Sequence, residues 1–253
     1  MPAAISKVPE SWLRTSSLFL LILVWQAVAA WLQEPTLPTP VRVLDSLWTH
    51  TIQGRLLLDL GITLARVGVS FLIAMAIGTA LGIVMGRNAR MDAALDGLLI
   101  LGLNIPALVT IILCYVWFGL TEAAAVTAVA LNKIPTVVVT VREGARAVDR
   151  GLLQVAQVYR LPRLRALGRV YLPQLYPYLM AAARSGLALI WKIVLVVELL
   201  GRSDGVGFQL GTFFQFFDIT GILAYTLAFA AVVLVVEAAV MRPLEQRLTR
   251  WRA

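Results

Sequence analysis

Six long apolar stretches, near 16–32, 62–85, 95–118, 123–141, 175–197 and 221–241, constrain this chain more than any other feature. A bilayer core of roughly 30 Å takes about 20 apolar residues as a helix. The runs are therefore expected to be spans of an all-α polytopic membrane protein, since each helix satisfies its own backbone in lipid. Composition agrees: 60% of the 253 residues are hydrophobic, 14% are charged, and mean hydropathy is +0.84.

Breaks between the runs give the organisation. Glu34, Pro35, Thr36, Leu37, Pro38, Thr39 and Pro40 stop the first helix, because repeated prolines remove backbone donors. Lys7 and Arg14 ahead of an apolar run that holds Ala27, Val28 and Ala29 resemble a secretory leader, but a polytopic chain needs no separate export signal. Residues 41–59 mix Arg42, Asp45, His50 and Arg55 with Leu44, Leu47, Trp48, Leu56 and Leu57, the pattern of a helix lying along the membrane surface. In the second run Gly68, Gly78, Gly82 and Gly86 predict close helix packing. Asn104-Ile105-Pro106 predicts a kink within the third span, and Asn132-Lys133-Ile134-Pro135 falls at the centre of the fourth. With no repeat or linker, the chain reads as one transmembrane domain over 1–253, its core at about 62–245.

A net charge of +8 and a pI near 10.2 would point to nucleic acid in a soluble protein. In a membrane protein the placement of charge decides instead. With the N-terminus inside, the segments between spans put fifteen Lys and Arg on the cytoplasmic side, from Lys7 and Arg14 to Arg250 and Arg252, and leave Arg42, Arg55 and Arg202 outside. Both termini are thus expected in the cytoplasm. Cys114, the single cysteine, reads as a core residue, and His50, the single histidine, as a surface residue without the second ligand a metal needs.

Residues 142–171 are too polar for lipid and carry a short amphipathic pattern: Leu152, Val155, Ala156 and Tyr159 fall at i, i+3, i+4 and i+7, with Arg150, Gln154, Gln157 and Arg160 beside them. On pattern alone the ridge suits a groove in a partner and the bilayer headgroups equally well.

From 151 to 173 the sequence resembles the EAA loop of bacterial binding-protein-dependent ABC importer permeases, whose pattern is E-A-A, three residues, G, nine residues, I-x-L-P. Here those positions read Gln154-Val155-Ala156, Arg160, and Val170-Tyr171-Leu172-Pro173. The spacing is complete, but Gln154 and Arg160 replace the Glu and the Gly, so the turn made by that glycine is expected to be accommodated differently, with Leu161-Pro162 at hand to supply one. Further stretches, Thr63 to Val67, Asn104 to Ala107, Phe118-Gly119, Ala182 to Arg184, Trp191 to Glu198 and Gly205 to Gly207, resemble the permeases of nitrate, sulfonate, taurine and thiamine-precursor importers.

The resemblance implies a type I importer permease fold with six transmembrane helices and a coupling helix within about 151–169. It further implies an ATP-binding subunit that docks on Leu152, Gln154, Val155, Ala156, Tyr159 and Arg160, an external substrate-binding protein, and a homodimer of permeases in the bacterial inner membrane. No G-x-x-x-x-G-K-[ST] phosphate loop occurs in the chain, so ATP and Mg are expected in the partner subunit and no catalysis or cofactor here.

Ionisable residues at membrane depth are candidates for function: Arg66, Lys133, Arg184, Lys192, Glu198 and Glu237. Arg66 and Glu198, near span ends, read as able to snorkel to the interface. Lys133 and Lys192 either line the path or pair with Glu198 or Glu237. Asn104, Pro106, Arg184, Trp191 and Glu198 complete the path candidates, and Trp191 with Trp117 and Phe118 offers an aromatic gate. Four cations against two anions lean toward an anionic solute. Of two rivals, an intramembrane serine protease is excluded because His50 lies outside the spans, and a gradient-driven transporter or channel calls for an internal repeat that the sequence does not show.

Overall fold

The computed structural model describes residues 10–34 and 36–249, so Lys7, Pro35, Arg250 and Arg252 lie outside the described residues. Every regular element among the described residues is helical. The chain divides into two compact units, one formed by residues up to Leu56 with Gln209–Ala228, the other by Leu57–Phe208 with Phe229 onward.

The first unit holds α1 (Glu10–Leu32) and α2 (Pro40–Ile52). Thr39 caps α2 by accepting from the Arg42 amide at 3.4 Å, with Pro40 in the first turn where a missing N–H costs nothing. Trp25 Nε1 donates to Pro38 O at 3.1 Å and ties α1 to the segment before α2. Val43 is fully buried while Leu44, Trp48 and Ile52 are exposed, as an interfacial helix requires. This helix is shorter than the pattern over 41–59 predicted. It ends at Ile52, and at Gly54 a Cβ would lie 2.8 Å from His50 O, a turn too tight for a side chain. His50 is not a bare surface residue: its ring packs edge-on to Tyr225 and tilted to Phe213, both at 5.4 Å.

The second unit begins at Leu57, within α3 (Leu56–Arg87), the helix that takes over Leu56, Leu57 and Asp59. It continues through α4 (Ala89–Asn104), α5 (Ala107–Phe118), α6 (Glu122–Arg146), α7 (Arg150–Val158), α8 (Arg163–Ala166) and α9 (Leu172–Gly201). The short α10 (Val206–Gln215) and long α11 (Ile219–Val236) each run between the units, and α12 (Arg242–Thr249) follows. A π-helical turn joins α8 to α9 and another joins α11 to α12, so 163–201 and 219–247 are each continuous and apolar enough to cross a membrane, as are α3 and α6. In α1 the apolar stretch is Phe19–Leu32.

The third expected span is not one kinked helix. α4 and α5 meet at 98°, a broken span or re-entrant pair. Pro106 excludes helix at Ile105, whose ψ is 122°, and the Asn104 side chain donates back to Ile100 O at 2.8 Å, so α4 terminates and α5 starts anew.

The core lies between α6 and α9. Small residues of α6, Ala124, Ala125 and Ala128, face Ala183, Leu187, Ile190 and Val194 of α9, with Ile111, Cys114 and Tyr115 of α5 closing one side. Without a hydrophobic force between helices in lipid, small side chains provide the close contact. The α3 glycines act the same way. A Cβ on Gly78 would lie 2.6 Å from Val137 Cβ, one on Gly82 2.8 Å from Val141 Cβ and one on Gly86 2.5 Å from Ala145 Cβ, whereas Gly68 has nothing within 4 Å and makes no such contact.

Candidate functional site

Two constructions stand out on the second unit, at opposite ends of α9. At the first end, Asp149 caps α7 by accepting from the Gly151 amide at 2.7 Å, while its own N–H donates to Gln174 Oε1 at 2.9 Å. Gln174 Nε2 in turn donates to Val170 O at 2.8 Å, so the start of α7 is pinned to the first turn of α9. Leu172 and Pro173 open that helix, both partly buried.

The two faces of α7 differ sharply. Ala156 is 3% exposed, and Leu153 packs against the cluster that holds Val148, Tyr171 and Leu175. Leu152, Val155, Val158 and Tyr159 are 48, 51, 80 and 77% exposed, so the outward ridge consists of these four. Ala156, expected on that ridge, is on the inward face instead. Val158 was missed because the i, i+3, i+4, i+7 template passes over i+6, although a short exposed helix presents it beside Tyr159.

The end of α7 departs from expectation in another way. Arg160, at the position of the motif's glycine, has φ +50° and itself takes the left-handed conformation that favours glycine. The Leu161 amide donates to Ala156 O and the Arg160 amide to Gln157 O, both at 2.9 Å, the paired bonds of a Schellman cap. A left-handed turn therefore ends α7, with a strain of about 1–2 kcal/mol borne by a residue with a Cβ. Pro162 begins α8 rather than replacing that turn.

At the other end of α9 lies a buried ion network. Arg66 is 5% and Glu198 0% exposed, so neither snorkels. Arg66 Nη1 donates to Glu198 Oε1 at 2.8 Å and to Asp204 O at 3.0 Å, its Nε donates to Glu122 Oε2 at 2.9 Å, and its Nη2 reaches Asp204 and Glu122 carboxylates. Glu198 also accepts from Thr63 Oγ1 at 3.0 Å and from the Gly207 amide at 2.8 Å. Arg202 joins through Glu122 and Leu120 O, and Asp59 accepts from the Gly205 amide at 3.2 Å. Gly205 has φ +96° and its Cα lies so close to Glu198 that a Cβ would meet the carboxylate at 2.6 Å. The network closes α3, α6, α9 and the segment 202–207 into one unit, with each charge desolvated only where a counter-charge meets it.

The other path candidates are scattered. Arg184 pairs with Glu237 and, at 2.9 Å, with Glu245, so the anions expected beside the lysines are taken by arginines. Lys133 is 1% exposed with no hydrogen-bond partner at Nζ; its stem lies against Gly186, where a Cβ would meet Lys133 Cε at 3.2 Å. Lys192 is exposed and forms no ion pair among the described residues. Trp191 is buried edge-on to Phe229 at 5.7 Å, while Trp117 and Phe118 are 67 and 56% exposed, so the three do not form one gate. Asn104 and Pro106 are exposed at the α4–α5 break.

Comparison with known proteins bears on this geometry. The chain is 29% identical over 235 residues to the putative aliphatic sulfonates transport permease protein SsuC of Bacillus subtilis, covering 92% of this chain and 85% of that protein. It is 28% identical to the taurine transport system permease protein TauC of Escherichia coli over 94% of this chain and 89% of that one. It is also 28% identical to the nitrate import permease protein NrtB of Synechocystis over 75 and 72%. In three dimensions it resembles a chain of the MetNI methionine ABC transporter with a TM-score of 0.65 at 18% identity, over 76% of this chain and 96% of that one, which establishes the fold. Residues 78–250 match the family described as binding-protein-dependent transport system inner membrane component, a stretch that includes α7 and all of α9. The chain therefore belongs to that family and is the membrane-spanning permease component of an ABC importer.

Proposed function

We propose that this permease imports a small sulfonate or comparable oxyanion, driven by a separate ATP-binding subunit that seats on the outward ridge of α7. The observation that carries the docking reading is four exposed apolar residues, Leu152, Val155, Val158 and Tyr159, on a helix whose other face is packed and whose ends are capped. An exposed apolar ridge held rigid on a membrane protein is built for a groove. Gln154 and Arg160 flank it as hydrogen-bonding partners for the same subunit, and Leu172 and Pro173 carry the motion into α9.

In this reading ATP and Mg bind the partner, and closure of two such subunits draws together the α7 helices of two permease copies. The Asp149–Gln174 contact passes the displacement to α9, which switches the path between its two orientations. The excess of Arg and Lys in the loops supports cytoplasmic termini and a cytoplasmic α7, in a bacterial inner membrane, with solute delivered by a binding protein on the far side. The sulfonate assignment is supported by the named functions of SsuC and TauC and by Lys192, a cation without an internal counter-ion on the exposed side of α9.

The test is uptake of radiolabelled taurine and of an alkanesulfonate by cells that express this permease with its neighbouring ATPase and binding protein. Uptake abolished by deletion of the permease and competed by unlabelled sulfonate is expected. Uptake of neither, with nitrate transported instead, would replace the sulfonate by an inorganic anion.

A further inference from the structure

Behind α7, on the side away from its ridge, is a cavity of about 430 Å³ that shares only Gln154 with the docking reading. Arg87, Arg146, Arg150, Gln154, Gln157 and Tyr171 supply its polar lining. A second cavity of about 440 Å³ shares Arg87, Gln157 and Tyr171 and adds Arg163. No carboxylate lines either one.

Three observations make this a site rather than a gap. Arg146 is engaged by Asp92 and Glu143, but neither Arg87 nor Arg150 has a carboxylate partner among the described residues. Arg87 is held over the Tyr171 ring at 5.3 Å, which fixes its guanidinium at the cavity wall. Tyr171 is 4% exposed, yet its hydroxyl has no hydrogen-bond partner, a cost that buried hydroxyls in native proteins almost always avoid. Guanidinium forks, side-chain amides and a free hydroxyl together make a donor-rich shell without a competing acid, the chemistry that receives a tetrahedral oxyanion.

We infer that this cavity binds the phosphate- or sulfonate-like head of an anion between Arg87, Arg150 and the Tyr171 hydroxyl. Those groups belong to the end of α3, the first turn of α7 and the turn into α9, so a bound anion ties α7 to both neighbours. None of the four ridge residues lines the cavity. The head can come from a free anion or from an anionic lipid, and the two sources are separable.

The full chain, reconstituted in phosphatidylcholine nanodiscs, is titrated with sodium phosphate against sodium chloride at equal ionic strength while its thermal unfolding midpoint is followed. In a parallel arm phosphatidylglycerol replaces part of the lipid. A saturable rise of the midpoint is expected, with half-saturation shifted upward about tenfold by Arg150→Gln and less by Tyr171→Phe. Arg165→Gln, equally basic and exposed but outside both cavities, leaves it unchanged. A response to phosphatidylglycerol alone with the same order of variants identifies the head as a lipid's. No saturable response in either arm, or an Arg165→Gln shift equal to that of Arg150→Gln, overturns the inference.

Discussion

One helix, α9, connects two ends built on opposite principles, about 36 Å apart along its axis at 1.5 Å per residue. At its start the contacts are few and local: a cap, an amide bridge through Gln174, and a helix that leaves four apolar side chains outside. At its other end Glu198 is wholly buried and shares Arg66 with Glu122 and Asp204. The difference separates a surface made to engage something else from a joint already complete within the chain.

That contrast can be broken by substitution. Arg66→Ala leaves Glu198 buried without its counter-charge and is expected to cost about 3–5 kcal/mol, the largest effect in the chain. Thermal unfolding in detergent and the folded yield in membranes would measure it, and an unchanged midpoint would mean the network is ornamental. Leu152→Asp should leave the midpoint of the isolated chain unaltered and weaken ATPase binding by about 2 kcal/mol or more, as an anchor residue at an interface does. Ala156→Asp, one turn along but on the inner face, should do the reverse and destabilise the fold; equal behaviour of the two variants in unfolding assays would erase the distinction between the faces.

Smaller effects sharpen the same picture. Gly82→Leu forces a side chain into Val141 and should cost about 1–3 kcal/mol, whereas Gly68→Leu, with open space around it, should be close to neutral. Denaturant midpoints of the pair, with Val141→Ala as a compensating change for Gly82→Leu, would test whether the glycine stripe sets helix spacing. Arg160→Gly relieves the left-handed strain at the end of α7 and should stabilise the chain by about 0.5–1 kcal/mol. A loss of stability on that change would show that the Arg160 side chain holds something its backbone geometry does not reveal.

The same contrast governs what the sequence discloses. The ridge of α7 is legible because helical period and local capping are short-range: Leu152, Val155 and Tyr159 are outward as their spacing requires, and Asp149 is where a cap belongs. Ala156 misleads because alanine suits either face, and its burial at 3% exposure is set by tertiary packing rather than by residue type. The network is long-range. Arg66 meets partners 56, 132 and 138 positions away, which no period encodes, so each charge taken alone resembles an end residue free to snorkel. One signal was present: Arg66 and Glu198 are opposite charges at the same end of their spans, and matching charges by depth pairs them.

The positive φ of Arg160 shows a further limit. The motif's spacing predicts a turn at that position, but residue type predicts its conformation only where glycine holds it. Here the two bonds from Arg160 and Leu161 to the last turn of α7 are enough to impose the left-handed state on an arginine. The 98° break at Pro106 is the converse case, where residue type gives the location of the bend but not its size.

The central claim is that α7 is the seat of an ATP-binding partner. The direct measurement is affinity purification of the full chain from its host in mild detergent, beside its Tyr159→Asp variant, with the accompanying proteins quantified by mass spectrometry. The account predicts an ATP-binding subunit in near-equal amount with the wild-type chain and its loss from the variant, while both chains are folded and inserted alike. Equal recovery of the subunit with the variant, or its absence from both, would contradict it.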